Sequence, residues 1–294
     1  MKSSDGPILV TGVGGPAGRS LIAQLRGCGL RVVGVDLVPP ADMPDALGVP
    51  AVARPDYVAA LHAIAAAHGV ALIVPTVSEE LPIVAAYADG PVPILAGSVA
   101  ATAMAGDKWW TARILEAAGV ATPRFTAVGS EVDVEALGRS LGWPFVTKPR
   151  MGRGGRGVVV HRQVGGIPDQ TFLRVPSIAQ EFAPGVEYVV NVYRPWSSRE
   201  TTTVVLRKLS RAHGEVGNAT AVERVDELDV ASLAARAVAA LDLRGPADLD
   251  VRRRVDGQPV VLEVNARFGA HSAFAPEILR EALADLGIAE MATA

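Results

Sequence analysis

The stretch GPADLDVRRRVDGQPVVLEVNARFG, residues 245–269, gathers acids and an amide in a pattern that could hold a cation. Asp256-Gly257 between two alternating runs signals a two-residue hairpin turn. That turn pairs Val255 with Gln258, sets Asp250 opposite Glu263 and sets Asp248 opposite Asn265. Strand side chains alternate, so these four polar groups share one face, while Leu249, Val251, Leu262 and Val264 take the core face. Facing carboxylates repel, and oxygen donors of this kind suit magnesium, which also takes substrate phosphates as ligands. The competing reading is a solvated polar face on an edge hairpin. Charge segregation favours a site, because the acids lie at one end of the face and Arg252 and Arg254 at the other.

Three further stretches could handle a nucleotide. In PFVTKPRMGRGGRGVVV, residues 144–160, a strand ends in Lys148 and a loop follows with Gly152, Gly154, Gly155 and Gly157. Glycines let the backbone approach a phosphate. Lys148 adds a point charge, and Arg150, Arg153 and Arg156 add positive potential; a basic surface hairpin has the same composition. In SIAQEFAPGVEYVVNVY, residues 177–193, an apolar strand ends in Gln180-Glu181-Phe182, Pro184-Gly185 turns, and Glu187 opens the next strand. Such a hinge can offer backbone groups to a purine edge and a carboxylate to ribose hydroxyls, although an ordinary strand–turn–strand reads the same. Finally, GVGGPAG, residues 12–18, places Gly12, Gly14, Gly15 and Gly18 between a strand and a helix, the context of a dinucleotide-binding turn. Asp36 ends the following strand, where a ribose-binding acid would sit. A plain tight turn needs the same glycines.

The elements that must position these residues follow from periodicity. PILVT, RVVGVD, VALIVPT and PVPILAG read as strands; GRSLIAQLRGCG, DYVAALHAIAAAHG and EELPIVAAYADG read as helices. Their alternation predicts a parallel sheet covered by helices. The pattern changes near residues 100–106. DKWWTARILEAAGV and EVDVEALGRSLG then read as helices, RFTAV and WPFVTKP as strands, and from residue 177 strands dominate, with one helix near 227–240. With 294 residues, 49% of them apolar, the chain can bury a large core and more than one domain. A net charge of −3 suggests neither a nucleic-acid nor a membrane surface. The single cysteine, Cys28, excludes a disulfide framework within the chain and is expected as a small buried hydrophobe. No run of about 18 apolar residues and no signal-peptide core is present, so a cytoplasmic location is expected.

Taken together and in order, these stretches resemble the ATP-grasp superfamily, in particular its carbamoyl-phosphate-synthetase-like and biotin-carboxylase-like branch. The resemblance implies an α/β and α+β architecture: a Rossmann-like, pre-ATP-grasp domain over residues 1–106 that binds no dinucleotide, then a two-lobed ATP-grasp domain over 107–294. The small lobe with the glycine loop would span about 120–176 and the C-terminal lobe with the metal hairpin about 177–294. Lys108 matches the first phosphate-contacting basic position, and Lys148 the lysine held over the nucleotide phosphates beneath the loop of Gly152, Gly154 and Gly155. Glu181, Phe182 and Ala183 match the adenine hinge and Glu187 the ribose-binding acid. Asp250, Glu263 and Asn265 match the magnesium ligands, with manganese as an alternative ion, and Arg267 the arginine at the transferring phosphate. Two departures stand out: HRQVGGIPDQTFLRVPS is short and rich in Pro and Gly where the family commonly has a helix, and the chain ends soon after the acidic hairpin.

The implied activity is that of a carboxylate–amine ligase. A substrate carboxylate attacks the γ-phosphorus of Mg-ATP, giving an acyl phosphate and ADP, and an amine or other nucleophile then displaces phosphate. Catalytic weight would fall on Lys148 and Arg267. The partners would be small-molecule carboxylates and amines, not nucleic acid or membrane, and the family also leads one to expect a homodimer. Substrate contacts are expected from Glu79, at a strand C-terminus where open α/β sheets bind ligands, from Arg211 and from His271; Ser78 is placed as the cap of the helix it precedes. His62 and His68 read as structural, and Trp109 and Trp110 as packing between domains. The alternatives are an NAD-dependent oxidoreductase built on GVGGPAG, which lacks a candidate for hydride chemistry, and a non-catalytic ATP-binding regulatory protein.

Overall fold

The fold is described from a computed structural model over residues 6–129, 133–152, 154–162, 175–198, 200–213 and 216–288, with backbone alone at 211–213 and 216–218. Short apolar runs alternating with helices build a parallel sheet at the start of the chain. Its strands are β1 (Ile8–Thr11), β2 (Val32–Asp36), β3 (Leu47–Gly48) and β4 (Leu72–Val74), in the order β3-β2-β1-β4. All of β1 is buried, as expected for a parallel strand covered on both faces. Helices α1 (Pro16–Gly27) and α2 (Tyr57–Ala67) flank the sheet. PVPILAG forms no full strand; Ile94 makes a single parallel bridge to Ile73. The expected helix EELPIVAAYADG is a 3-10 turn, Ser78–Glu80, followed by the short α3 (Leu81–Ala85), since Pro82 sits at its start.

Two helices lead out of this unit. In α4 (Val99–Gly106), Ser98 caps the first turn by accepting from the Ala101 N–H at 3.2 Å. In α5 (Lys108–Ala117), Asp107 accepts from the Trp109 N–H at 2.9 Å. Trp109 packs edge-on to Phe125 at 5.4 Å, whereas Trp110, expected between domains, is half exposed. Cys28 is exposed just beyond α1 instead of buried.

Two antiparallel sheets follow. The smaller contains β5 (Phe125–Val128), β6 (Phe145–Pro149), β7 (Val159–His161) and β8 (Ser177–Glu181), in the order β5-β8-β6-β7, with α6 (Val134–Leu141) against it. The larger contains β9 (Glu187–Arg194), β10 (Thr202–His213), β11 (Val216–Arg224), β12 (Gly245–Arg253) and β13 (Pro259–Asn265), in the order β11-β10-β9-β12-β13. Alternation along β9 sends Tyr188, Val190 and Val192 towards α7 (Leu228–Ala240), and Val189 and Tyr193 towards α8 (Pro276–Asp285). The sequence reading has one helix after residue 177; α8, with Ile278, Leu279, Ala282 and Leu283 buried, is the second. Its core also contains Ile8, Val10 and Leu21, so the last helix ties the large sheet to the parallel one.

The acidic hairpin differs instructively from its expected form. The Arg254 N–H donates to the Gln258 carbonyl at 2.9 Å and the Gly257 N–H to the Arg254 carbonyl at 3.1 Å, which makes residues 255–257 a three-residue loop. Gly257 has φ +83°, the left-handed residue such a loop requires. Val255 therefore does not pair with Gln258. The shift is undone by a bulge: Val251 pairs with Val261, but Asp250 pairs with Glu263, leaving Leu262 as the extra residue. The expected pairs Asp250–Glu263 and Asp248–Asn265 result, while Leu262 leaves the core face and lines a cavity.

Candidate active site

The three sheets meet around a cavity of about 920 Å³. The large sheet supplies one wall as cross-strand rungs. Asn191, Asp248 and Asn265 form one rung, Val189, Asp250 and Glu263 the next, and Glu187 lies beside Arg252 in the third. Asp248, Asp250, Glu263 and Asn265 all line the cavity.

Basic groups converge on these acids. Lys208, on β10, is almost fully buried, with Nζ 2.5 Å from Glu187 and 2.7 Å from Asp250. Burial alone would lower its pKa, but the two carboxylates outweigh it and hold the ammonium charged. Burial likewise pushes Asp250 up, and Lys208 more than reverses this, holding the carboxyl below its usual range. Lys108, at the start of α5, lies 3.3 Å from Glu263 and donates to the Gly152 carbonyl at 2.9 Å. Lys148, at the end of β6, donates to the Leu262 carbonyl at 2.9 Å. Burial lowers its pKa to about 8, against the opposing pull of Glu263. Asp248 is pushed up to about 6 by burial, despite Arg267 at 3.7 Å. The positive charge that the facing acids require is thus supplied by lysines within the chain.

A hinge closes one end of the cavity. Gln180, Glu181, Phe182 and Ala183 line it, and Arg252 stacks over the Phe182 ring at 4.8 Å. The Glu181 carboxylate points to Arg124, 3.2 Å away, and Arg254, 3.5 Å away, and its N–H donates to the Arg124 carbonyl at 2.9 Å. Glu187 is buried with Lys208 and lies 3.7 Å from Arg252. Gly154 and Gly155 of the glycine loop line the opposite side, both with positive φ.

Of the residues singled out from the sequence, Lys148, Gly154, Gly155, Glu181, Phe182, Ala183, Glu187, Asp250, Glu263, Asn265, Arg267, Glu79 and His271 all line this one cavity. Lys108 and Gly152 join it through Glu263 and through each other. Burial first, then Lys208, lowers the His271 pKa. Arg211 lies on β10 opposite Ala219, with its side chain outside the described residues, as are Arg153 and residues 163–174 of the Pro/Gly-rich segment. Ser78 caps no helix; its hydroxyl accepts from Arg267 Nε at 3.3 Å and donates to Asn265 Oδ1 at 3.4 Å, joining the parallel-sheet unit to the hairpin. Sequence reasoning missed Lys208 and the Ser78 link. The alternation Val204, Leu206, Lys208 along β10 marks Lys208 as inward-facing and was the available signal.

Among the described residues no three His, Cys, Asp or Glu side chains form a metal cluster of their own. Asp250 and Glu263, with the Asn265 amide oxygen, are hard oxygen donors beside two lysines, and magnesium on a nucleotide is held through one or two carboxylates plus phosphates. The set fits the ion as a nucleotide complex. It does not form a site for bare metal.

The glycine turn is closed on itself. The Gly14 N–H donates to Asp36 Oδ2 at 2.8 Å, the Gly15 N–H to the Gly12 carbonyl at 2.9 Å, and Pro16 has none. A Cβ on Gly18 would lie 2.4 Å from the Gly12 carbonyl oxygen, so this glycine permits close helix–strand packing.

Known proteins resemble the chain in sequence and in fold. The chain is 28% identical over 193 residues to a D-alanine–D-alanine ligase of Cupriavidus necator, covering 60% of this chain and 59% of that protein. It is 30% identical over 193 residues to the D-alanine–D-alanine ligase of Cupriavidus taiwanensis, with the same coverage. The chain therefore spans about 59% of the length of these relatives. Its fold matches the L-amino acid ligase of Bacillus licheniformis with a TM-score of 0.74 at 18% identity, over 96% of this chain and 75% of that one. It matches biotin carboxylase of Campylobacter jejuni with a TM-score of 0.73 at 17% identity, over 98% of this chain and 72% of that one. Residues 105–271, which carry Lys108, Lys148, the hinge and the acidic rungs, match the ATP-grasp domain. The chain belongs to the ATP-grasp family.

Proposed function

We propose that the chain is an ATP-dependent carboxylate–amine ligase acting through an acyl phosphate, and that its substrates include an amino acid, as the names of its relatives suggest. One observation carries the reading: Lys148, the Asp250–Glu263 rung and Arg267 face one cavity that ends at the 180–183 hinge. The architecture is read as a Rossmann-like pre-ATP-grasp domain over 1–106 and an ATP-grasp domain over 107–294, its small lobe about 120–176 and its C-terminal lobe about 177–294. The self-closed GVGGPAG turn counts against the dinucleotide alternative, because its N–H groups at Gly14 and Gly15 are spent.

In this reading the hinge backbone at Glu181–Ala183 holds adenine and Glu187 the ribose. Lys108, Lys148 and the glycine loop neutralise and cover the phosphates, which is most of what a protein contributes to phosphoryl transfer. Magnesium, held by Asp250, Glu263 and Asn265, would supply further charge neutralisation at the terminal phosphates. Arg267, fixed by Ser78, faces the γ-phosphate as the substrate carboxylate attacks. The loop of Gly152, Gly154 and Gly155 would close over ATP, exclude water and protect the acyl phosphate until the amine displaces phosphate. Glu79, Arg211 and His271 are the proposed substrate contacts.

ADP release measured over pairs of amino acids and other carboxylates with amines tests this. ADP formed in step with a C–N product is expected. Nucleotide binding without turnover in any pairing would favour a regulatory role instead.

A further inference from the structure

Beyond the acidic rungs the cavity continues to the C-terminal edge of the parallel sheet, and there its lining changes. Leu37, Val49, Pro50, Ala51, Val52 and Tyr57 wall this end. Leu37 follows β2 and is 59% exposed, an apolar side chain left facing the open cavity. Val49 is buried and held beside β2 by its N–H, which donates to the Asp36 carbonyl at 3.0 Å.

The polar groups at this end are turned away or engaged. The Tyr57 hydroxyl donates to the buried carboxylate of Glu80, and its ring is itself buried behind the wall. Thr11 Oγ1 donates to Glu80 and accepts from the Thr76 N–H at 3.0 Å. Thr76 Oγ1 donates to the Thr11 carbonyl at 2.7 Å. Asp36 Oδ2 accepts from the Gly14 N–H at 2.8 Å, and its Oδ1 from the Val38 N–H at 3.3 Å. Gly15 gives its N–H to Gly12 and Pro16 has none. No side-chain hydroxyl here is left to donate, and Asp36 adds negative charge. An anion would meet no free hydroxyl and the like charges of Asp36 and Glu79. A neutral polar group would lose water and gain little in return. An apolar group loses nothing and covers Leu37, Pro50, Ala51 and Val52, which line the cavity and are still partly open to water.

We propose that this end of the cavity is the side-chain pocket of the amino-acid substrate, and that it takes an aliphatic or aromatic side chain in preference to a neutral polar or acidic one. This rests on the ligase reading for the term amino acid, while the pocket itself can be tested without turnover. The protein is saturated with magnesium and a non-hydrolysable ATP analogue. Dissociation constants for leucine, phenylalanine, serine and aspartate, in both enantiomers, are then measured by calorimetry.

Leucine or phenylalanine is expected to bind at least about tenfold more tightly than serine or aspartate, the scale on which apolar pockets discriminate. Ala51→Phe, which fills the pocket, should weaken leucine and phenylalanine at least about tenfold and leave the nucleotide analogue unchanged. Leu37→Ser, at a side chain that is already largely exposed, should narrow the preference and guards against misfolding of the bulkier variant. Equal or tighter binding of serine or aspartate, binding by none of the four, or an unaffected preference in both variants would overturn the pocket. Selective binding of the apolar set with no ADP release in any pairing would support the pocket and contradict the ligase reading.

Discussion

Lys148 Nζ donates to the carbonyl of Leu262 at 2.9 Å, which joins the small sheet to the acidic hairpin of the large one. The contact exists because Leu262 is the bulged residue of β13, its register released between the Val251–Val261 and Asp250–Glu263 pairs. The bulge therefore does two things. It realigns the acids into facing pairs, and it turns a backbone oxygen towards the buried ammonium.

Burial lowers Lys148 to about 8, so its ammonium is lost as pH rises through that value. If the charged form serves the phosphates, kcat/KM for MgATP should fall above about pH 8. Lys148→Arg, which stays charged, should extend the plateau past pH 9 even if its maximum is lower. A pH–rate profile of both proteins checks this. Between about 8 and the ordinary lysine value the unfolded chain holds a proton that the folded one has lost, so stability rises with pH across that window.

Lys208 holds Glu187 and Asp250 together. Removing it leaves Glu187 and Asp250, on adjacent strands, without the ammonium between them, so Lys208→Met should cost up to roughly 3 kcal/mol in stability, the low end of the range for breaking a buried pair, since Arg252 stays beside Glu187. Urea denaturation reads the loss.

Glu263→Gln removes a charge from the Asp250–Glu263 rung. The magnesium concentration needed for half-maximal turnover should rise by about tenfold or more, the scale on which losses near a metal site act. An unchanged magnesium titration would contradict the assignment.

Ser78→Ala takes the hydroxyl from Arg267 and Asn265. A hydrogen bond to a charged group is worth roughly 1.5–3 kcal/mol, and at 3.3 Å this one belongs at the weak end. Turnover should fall about tenfold with the KM for ATP unchanged, and Ser78→Thr should recover part of it. Steady-state kinetics of the three proteins decide.

Gly18→Ala should lower Tm, because its Cβ would lie 2.4 Å from the Gly12 carbonyl oxygen, a backbone atom that cannot step aside. The nucleotide KM should not change. Differential scanning calorimetry with parallel kinetics separates the two effects.

Much of this site was legible because strand alternation is a rigid constraint: once a hairpin at 256–257 is recognised, Asp250 must face Glu263 and Asp248 must face Asn265. The loop has one residue more than the Asp-Gly signal suggests, and the bulge at Leu262 restores the register, so the pairs are right although neither irregularity could be read. Alternation along β10 marks Lys208 as inward-facing, but its role depends on Glu187 and Asp250, 21 and 42 residues away in the chain, which the strand alone does not show. The glycine turn misleads for a physical reason. Strand–turn–helix geometry needs the same glycines whether or not a phosphate is bound, and only the Asp36 contact to Gly14 distinguishes the cases. α8 carries a clear apolar stripe at helical spacing, with Pro276 at its start, and was readable.

The most direct measurement uses a substrate carboxylate labelled with oxygen-18 on both oxygens. Attack on the γ-phosphorus followed by displacement by the amine carries one carboxylate oxygen into phosphate. Mass spectrometry of the phosphate released during ligation should therefore show one heavy oxygen per molecule, in step with ADP. Unlabelled phosphate accompanying the ligated product would contradict an acyl phosphate in this cavity.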